Sequence, residues 1–102
     1  MPVANVRAKT DHDLYLSQIR AILDQVFSDC KIYLFGSRAT NRYNDVSDFD
    51  VGILASRGVD RELGLARELL EESNIPFTVD LVDLGATSGE FARQVQQEGI
   101  LL

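Results

Sequence analysis

The sequence is poor in residues and patterns that define several protein classes. It has one cysteine, Cys30, so no disulfide can form within the chain, which favours a reducing, cytoplasmic setting. Ten basic residues stand against sixteen acidic ones, and the formal charge of -6 disfavours direct binding to nucleic acid. There is no apolar run of the roughly 20 residues that cross a bilayer, and the first residues, MPVANVRAKTDHD, lack the apolar run of a signal peptide. We therefore expect a cytoplasmic protein that binds neither a membrane nor, directly, a nucleic acid.

What the chain does contain is typical of a folded domain. Its 102 residues are 45% hydrophobic and 25% charged, which is ordinary for a globular protein. A chain of this length buries a modest core and has no room for a separate substrate-binding lobe. We expect one domain over residues 1–102, and any large substrate must bring its own binding surface.

Hydrophobic spacing predicts helices that alternate with strands. The helical segments are 11–28, 59–73 and 88–98, the first of them starting at a capping box of Thr10 and Asp13. The strand segments are 31–35, 49–54 and 77–84, and the closing Gly-Ile-Leu-Leu predicts either an added edge strand or a partner contact. The fold class expected is α/β (α+β), a small mixed β-sheet with helices packed on it.

Two aspartates begin the second strand. Asp48 and Asp50 are two residues apart, so their side chains share one face of the strand, while Phe49, Val51 and Ile53 point to the other. Two neighbouring carboxylates repel each other unless a cation or a shared proton lies between them. Oxygen ligands on a short rigid segment suit Mg²⁺, which completes its coordination with waters and substrate phosphates.

The first strand ends in a Gly-Ser pair that has the character of an anion site. Gly36 allows close approach of the backbone to a ligand, and the turn at Ser37 can direct amide groups at a phosphate. If the third strand lies beside the second, Asp80 completes a carboxylate cluster, whereas Asp83 faces the opposite side and is a strand-end turn residue. Carboxylates, metals and a phosphate cradle together describe nucleotidyl transfer.

The spacing of these residues also resembles a known family. Gly36-Ser37, ten further residues, Asp48-Phe49-Asp50 and a later Asp80 are similar to the signature of the DNA polymerase beta-like nucleotidyltransferase superfamily. In size, and in the phrases FGSRA, SDFDVGIL and VDLVDL, the chain most resembles the minimal nucleotidyltransferase (MNT) group over residues 12 to 101. Either motif alone is a weak signal, but their joint spacing is specific.

The resemblance implies a fold, a reaction and roles for the site residues. The fold would be that of the polymerase beta-like nucleotidyltransferases, with two Mg²⁺ ions, or Mn²⁺ in their place, and ATP or another NTP as substrate. Asp48, Asp50 and Asp80 would be the catalytic metal ligands, and Gly36 and Ser37 would hold the terminal phosphates. The other candidate nucleotide-binding residues are Arg38 and Ser47, with Arg42 as a second source of positive charge.

The resemblance also implies a partner. Small members of the group commonly act as antitoxins of HEPN-domain toxins, and some add AMP to a toxin tyrosine. We expect transfer of NMP, most readily AMP, to a hydroxyl of such a partner. The alternatives are a non-catalytic antitoxin or binding module, and a transferase for RNA or a small molecule with a separate substrate-binding subunit. Thr40 and Asn41 stand where many relatives have Arg-Gly, which keeps the non-catalytic alternative open.

Two aromatic residues outside the motif have weaker assignments. His12 is the single histidine, and its polar surroundings in the sequence predict a solvated surface position without a catalytic role. Tyr43 lies in the loop before the aspartates, and this position predicts that its ring either packs within the loop or stacks on a nucleotide base.

Overall fold

A computed structural model describes the backbone of residues 3–40, 42–44 and 46–102, and the side chains from residue 11 onward within these ranges. The chain forms helices α1 (Val3–Val26), α2 (Asp60–Glu72) and α3 (Gly89–Glu98), and strands β1 (Lys31–Phe35), β2 (Phe49–Leu54), β3 (Val79–Asp83) and β4 (Ile100–Leu101). Short 3-10 helices, Gly36–Ala39 and Leu84–Ala86, follow β1 and β3 directly. The mixed α/β fold class expected from the sequence is confirmed.

The strands form one mixed sheet in the order β3-β2-β1-β4. Strand β2 is antiparallel to β1 and parallel to β3, so the chain between β2 and β3 makes a crossover through α2. The closing apolar residues pair with β1 as β4, which confirms an added edge strand. This order places β3, the strand of Asp80, at an edge of the sheet and directly beside β2.

Helices cover both faces of the sheet and divide the apolar side chains into two groups. The larger core joins α1, α2 and one sheet face through Ile19, Leu23, Phe27, Ile32, Leu34, Phe49, Val51, Ile53, Val59, Leu63, Ala66, Leu70 and Leu81. The smaller core lies under α3 and contains Tyr33, Leu84, Ala92 and Val95. Because alternate residues of a strand point to opposite faces, Asp50 and Asp80 share the sheet face that α3 covers in part.

The first helix differs from its predicted bounds. It begins at Val3, so Thr10 and Asp13 lie inside it and the predicted capping box is wrong. No glycine or proline interrupts residues 3–26, and this absence lets the helix extend toward the N-terminus. The remaining elements agree with prediction to within two residues at each end. None of the helices in the described ranges has the length and hydrophobicity needed to cross a bilayer.

Candidate active site

The candidate site lies at the end of the sheet where β1 stops and β2 begins. Asp50 on β2 pairs in register with Asp80 on β3, and with Phe35 on the other side in β1. Neighbouring strands lie about 4.7–4.9 Å apart, and directly paired residues carry their side chains on the same face. The parallel pairing therefore brings together the two aspartates that the sequence separates by thirty residues. Asp48 is exposed just before β2. We call Asp48, Asp50 and Asp80 together the acidic edge.

The charges of these carboxylates act on one another. Burial first, and then the charges of Asp80 and Asp48, raise the pKa of Asp50 above its ordinary value. Asp50 is half-buried while Asp48 and Asp80 are exposed, so the loss of hydration falls mainly on Asp50. Burial and the neighbouring charges thus both disfavour the ionised form of the Asp50 carboxylate.

Gly36 brings the end of β1 against the Asp50 carboxylate. Its φ is +73°, in the left-handed region, and a Cβ built there would collide with Oδ2 of Asp50. A side chain is therefore excluded at this position for two reasons, backbone conformation and space. Ser37 follows in the 3-10 helix, and its carbonyl accepts hydrogen bonds from the amide and the hydroxyl of Thr40. The Gly-Ser turn thus lies next to the acidic edge.

The Arg38 side chain holds the loop that precedes Asp48. Its guanidinium is buried, with the residue 3% exposed, and donates from Nε and Nη2 to the carbonyl oxygen of Ser47 at 3.1 and 2.9 Å. The Ser47 hydroxyl accepts a hydrogen bond from the backbone amide of Asn44 within the same turn of the loop. The structure therefore engages the side chains of both residues in holding the loop before Asp48. Their role as nucleotide-binding residues stays a prediction.

The prediction that His12 is a solvated surface residue is wrong. His12 is buried, and its Nδ1 lies 3.2 Å from Nη1 of Arg38. Arginine can only donate here, so Nδ1 accepts and the ring is the neutral tautomer protonated at Nε2. The error follows from the helix boundary, because His12 belongs to the interior of α1 and not to a polar turn. Burial, and then the charge of Arg38, lower its pKa, while Asp13 opposes the shift.

Aromatic rings surround the Arg38 guanidinium. Its carbon lies 4.2 Å from the ring centre of Phe49, 4.8 Å from that of Tyr43 and 5.0 Å from that of Phe77. The His12 ring stacks on that of Tyr43 with centroids 4.4 Å apart. The Tyr43 ring is thus packed within this cluster, which favours loop packing over stacking on a base. Sequence reasoning missed the cluster because its members come from separate elements and share no spacing pattern.

Arg42 remains near the Gly-Ser turn. It is exposed and lines a cavity of about 430 Å³ together with Gly36, Ser37 and Phe91 of α3. Of the two arginines considered for positive charge near the phosphates, the structure brings Arg42 to the surface beside the turn and buries Arg38. The prediction for Asp83 agrees with its observed place, since it ends β3 and its carboxylate accepts from the Gly85 amide.

The acidic edge offers oxygen ligands of the kind that divalent cations bind. Within the described ranges, no group of three or more His, Cys, Asp or Glu side chains converges closely enough to enclose a metal ion. Mg²⁺ does not need an enclosing cage, because it commonly takes one or two carboxylates and fills its shell with waters and substrate phosphates. The charges of Asp80 and Asp48 add to the effect of burial in disfavouring the ionised Asp50 carboxylate, and a cation bound there would offset that cost. The residues present therefore fit a divalent metal that arrives with a phosphate substrate.

Comparison with known families agrees with this geometry. The family model described as polymerase beta, nucleotidyltransferase, matches residues 17–102, which include every residue of the acidic edge and the Gly-Ser turn. The chain belongs to this family of nucleotidyltransferases.

Comparison with individual relatives identifies the group within this family. Over 91 residues the chain is 31% identical to a probable protein adenylyltransferase, MntA, of Haemophilus influenzae, covering 85% of this chain and 77% of the relative. It is also similar to a chain in a crystal structure of a toxin-antitoxin with AMP-PNP, with a TM-score of 0.68 and 31% identity. That match covers 83% of this chain and 69% of the other. These similarities confirm membership of the minimal nucleotidyltransferase group.

Proposed function

We propose that this chain is one minimal nucleotidyltransferase domain that transfers AMP from ATP to a hydroxyl of a partner protein and so acts as the antitoxin of a HEPN-type toxin. The observation that carries the proposal is the in-register pairing of Asp50 with Asp80, directly beside the Gly36 turn. Similarity to a probable protein adenylyltransferase supports AMP and a protein acceptor. Similarity to a chain of a toxin-antitoxin with AMP-PNP supports the toxin partner and ATP.

The order of the site residues across the sheet suggests how the substrates lie. Gly36 and Ser37, at the end of β1, would receive the terminal phosphates of ATP, with Arg42 adding positive charge. Asp48, Asp50 and Asp80 would hold Mg²⁺, which when bound neutralises charge on the attacking and leaving oxygens. The acceptor hydroxyl would form a bond to the α-phosphorus while the bond to the pyrophosphate oxygen breaks. Asp80, on the outer strand, is the carboxylate nearest to an acceptor approaching from the sheet edge and is our candidate for taking its proton.

The composition of the chain supports a protein acceptor and a cytoplasmic location. A formal charge of -6 disfavours RNA as the acceptor, because RNA binding draws its affinity from basic residues. The single cysteine and the need for a nucleoside triphosphate favour the cytoplasm.

A non-catalytic antitoxin is the second candidate. It is favoured by Thr40 in place of the basic residue of many relatives, and by the lack, among described residues, of three acidic side chains converged on one point. Asn41, the other departure, lies outside the described residues. In this alternative the chain would neutralise its partner by contact alone.

The decisive experiment compares substitutions of two aspartates that lie on the same strand, β3. Purified protein is incubated with Mg²⁺ and labelled ATP, with and without the protein that co-purifies with it, and intact masses are measured. We expect an added AMP mass on the partner, lost in Asp80→Asn and retained in Asp83→Asn. Asp83 is the matched control because it lies on the same strand but caps the following turn, a role that an asparagine oxygen preserves.

Two results would contradict the catalytic proposal. One is an unchanged partner mass with every NTP despite a stable complex. The other is neutralisation of the toxin by Asp80→Asn at the level of the unmutated protein. Either result would favour the non-catalytic antitoxin.

A further inference from the structure

The outer edge of β3 is open. Among the described residues β3 pairs with β2 alone and ends the sheet order, so its second edge has no neighbouring strand. Such an edge presents unpaired amide and carbonyl groups that can bind another extended chain. The strand is also the one that carries Asp80, so the open edge lies beside the proposed reaction centre.

The direction of the backbone groups along β3 follows from its ladder. The Thr78 carbonyl accepts from the Phe49 amide of β2, so the alternate carbonyls of Val79 and Leu81 point outward. Arg67 of α2 confirms this for Leu81, because its Nη2 donates to that outward carbonyl at 3.2 Å. A side-chain N–H thus occupies the position in which an added strand would place a backbone N–H. Arg67 is exposed and can turn toward solvent when a backbone donor replaces it.

Helix α2 runs alongside this edge and makes it a groove. A cavity of about 540 Å³ lies between the helix and the strand, lined by Arg67, Leu70 and Glu71 of α2 and by Phe77, Val79 and Leu81. An open strand edge with a helix beside it is the arrangement used in β-strand addition, where backbone hydrogen bonds give affinity and side-chain pockets give specificity. The cavity has the size range of small-ligand sites and can receive side chains from a bound segment.

We infer that an extended segment of the acceptor protein adds to the outer edge of β3 in this groove and presents its hydroxyl residue opposite Asp80. This inference rests on the proposed function. In paired strands a directly opposite residue lies on the same face, with Cβ atoms about 4.5–5.5 Å apart. A residue opposite Asp80 is therefore on the face of Asp50, in the same row of the sheet. The fold supplies the acceptor geometry without a further domain.

The charge around the groove indicates the chemistry of the segment. Of the charged residues that line the groove, Glu71 and Asp80 are acidic and Arg67 is basic, and the whole chain carries -6, so a basic segment is favoured. Leu70 and Phe77 offer apolar contacts for alternate side chains of the segment. The occupant is thus an extended protein segment with a hydroxyl residue flanked by basic and apolar residues.

The test uses a pooled synthetic library of decapeptides with a central Tyr, Ser or Thr, flanking Lys or Arg, and apolar residues between them. Wild-type protein, Mg²⁺ and labelled ATP are added, and peptides that gain an AMP mass are identified. The best acceptor is then synthesised twice more, with N-methyl groups on one alternate set of backbone amides or on the other. We expect methylation of one set to reduce labelling at least tenfold and methylation of the other to leave it within about threefold, because only one set faces β3.

Hydrogen exchange supplies a second measurement on the protein itself. Saturating acceptor peptide should slow exchange of the outward Val79 and Leu81 amides at least tenfold, relative to the change at Asp80 and Val82, whose amides face β2. Glu71→Lys should raise the KM for the basic peptide several-fold, whereas Glu90→Lys, on α3 across the sheet, should leave it unchanged.

The outcomes separate this inference from the proposed function. Release of pyrophosphate from ATP without labelling of any peptide, labelling of RNA oligonucleotides in place of peptides, or equal effects of the two methylation patterns would each overturn the docking inference alone. A wild-type protein that releases no pyrophosphate, with or without its co-purifying partner, would contradict the proposed function itself.

Discussion

The Arg38 guanidinium donates two hydrogen bonds to the carbonyl oxygen of Ser47, the residue that precedes Asp48. Arg38 itself follows the Gly36-Ser37 turn in a short 3-10 helix and contacts His12 of α1. One buried side chain thus joins the Gly-Ser turn, the loop that leads to the aspartates, and the first helix.

This linkage predicts a large loss of stability when Arg38 is removed. Arg38→Met leaves the Ser47 carbonyl and His12 Nδ1 without their donor, and we expect the free energy of unfolding to fall by about 2–3 kcal/mol. Arg38→Lys should recover less than half of the loss, because an ammonium group does not reproduce the fork of Nε and Nη2. Urea unfolding measures both. Arg42→Met is the control, since Arg42 is exposed, and a loss equal to that of Arg38→Met would contradict the prediction.

The buried His12 predicts a stability that falls on acidification. Its pKa is lowered in the folded protein from the ordinary value of 6.5, so below 6.5 the unfolded chain binds a proton that the folded chain resists. Stability linked to His12 is therefore constant above about pH 7.5, decreases as the pH falls through 6.5, and levels off below the folded-state pKa, with a slope of at most about 1.4 kcal/mol per pH unit.

His12→Asn isolates this effect. The asparagine oxygen can accept from Arg38 in the place of Nδ1 but does not titrate. Thermal or urea unfolding between pH 5 and pH 8 should show that the free energy of unfolding depends less on pH in the variant. Near pH 6, unfolding of the variant should take up fewer protons than unfolding of the wild type, by on the order of one proton or less. Identical pH profiles for the two proteins would mean that His12 does not titrate differently on folding.

The acidic edge predicts that Asp50 lowers the stability of the metal-free protein and is needed for metal binding. Because its folded-state pKa is raised from 3.8, ionised Asp50 costs stability, and the cost grows as the pH rises from 3.8 through that pKa. At pH 7.5 without divalent ions, Asp50→Asn should therefore raise the free energy of unfolding by on the order of 0.5 kcal/mol. Mg²⁺ with ATP should stabilise the wild type and not the variant.

The matched control for this prediction is Asp24→Asn. Asp24 is a surface carboxylate on α1 that pairs with Arg20, so its replacement should change stability by less than about 0.5 kcal/mol and leave the effect of Mg²⁺ and ATP intact. Differential scanning fluorimetry with and without Mg²⁺ and ATP measures both variants. Equal ligand-induced shifts in Asp50→Asn and the wild type would argue against Asp50 as a metal ligand.

The turn at Gly36 predicts opposite outcomes for two glycine substitutions. Gly36→Ala combines a left-handed backbone with a collision against Asp50, so we expect a loss of at least about 1–2 kcal/mol and of nucleotide transfer. Gly64→Ala lies in α2 with open space at its Cβ and should stabilise the protein by about 0.5–1 kcal/mol. Urea unfolding and pyrophosphate release measure the two effects, and unimpaired transfer by Gly36→Ala would contradict the prediction.

Local sequence patterns were sufficient for most elements. Strand bounds 31–35 and 49–54 are confirmed because each is a short run rich in apolar and β-branched or aromatic residues, and Gly36 stops the first of them. The start of α1 was wrong because a capping pattern at Thr10 resembles a helix start even where an unbroken helical segment precedes it.

The sequence by itself determined the alternation that sorts Asp48 and Asp50 from the core, and the Gly-Ser turn that precedes them, because these follow from spacing within one strand or one turn. Only the tertiary structure decided that β3 pairs in parallel with β2, that Asp80 lies opposite Asp50, and that the Arg38 guanidinium is buried against His12. Strand order and the burial of one side chain depend on contacts between residues far apart in the chain, and local spacing does not encode them.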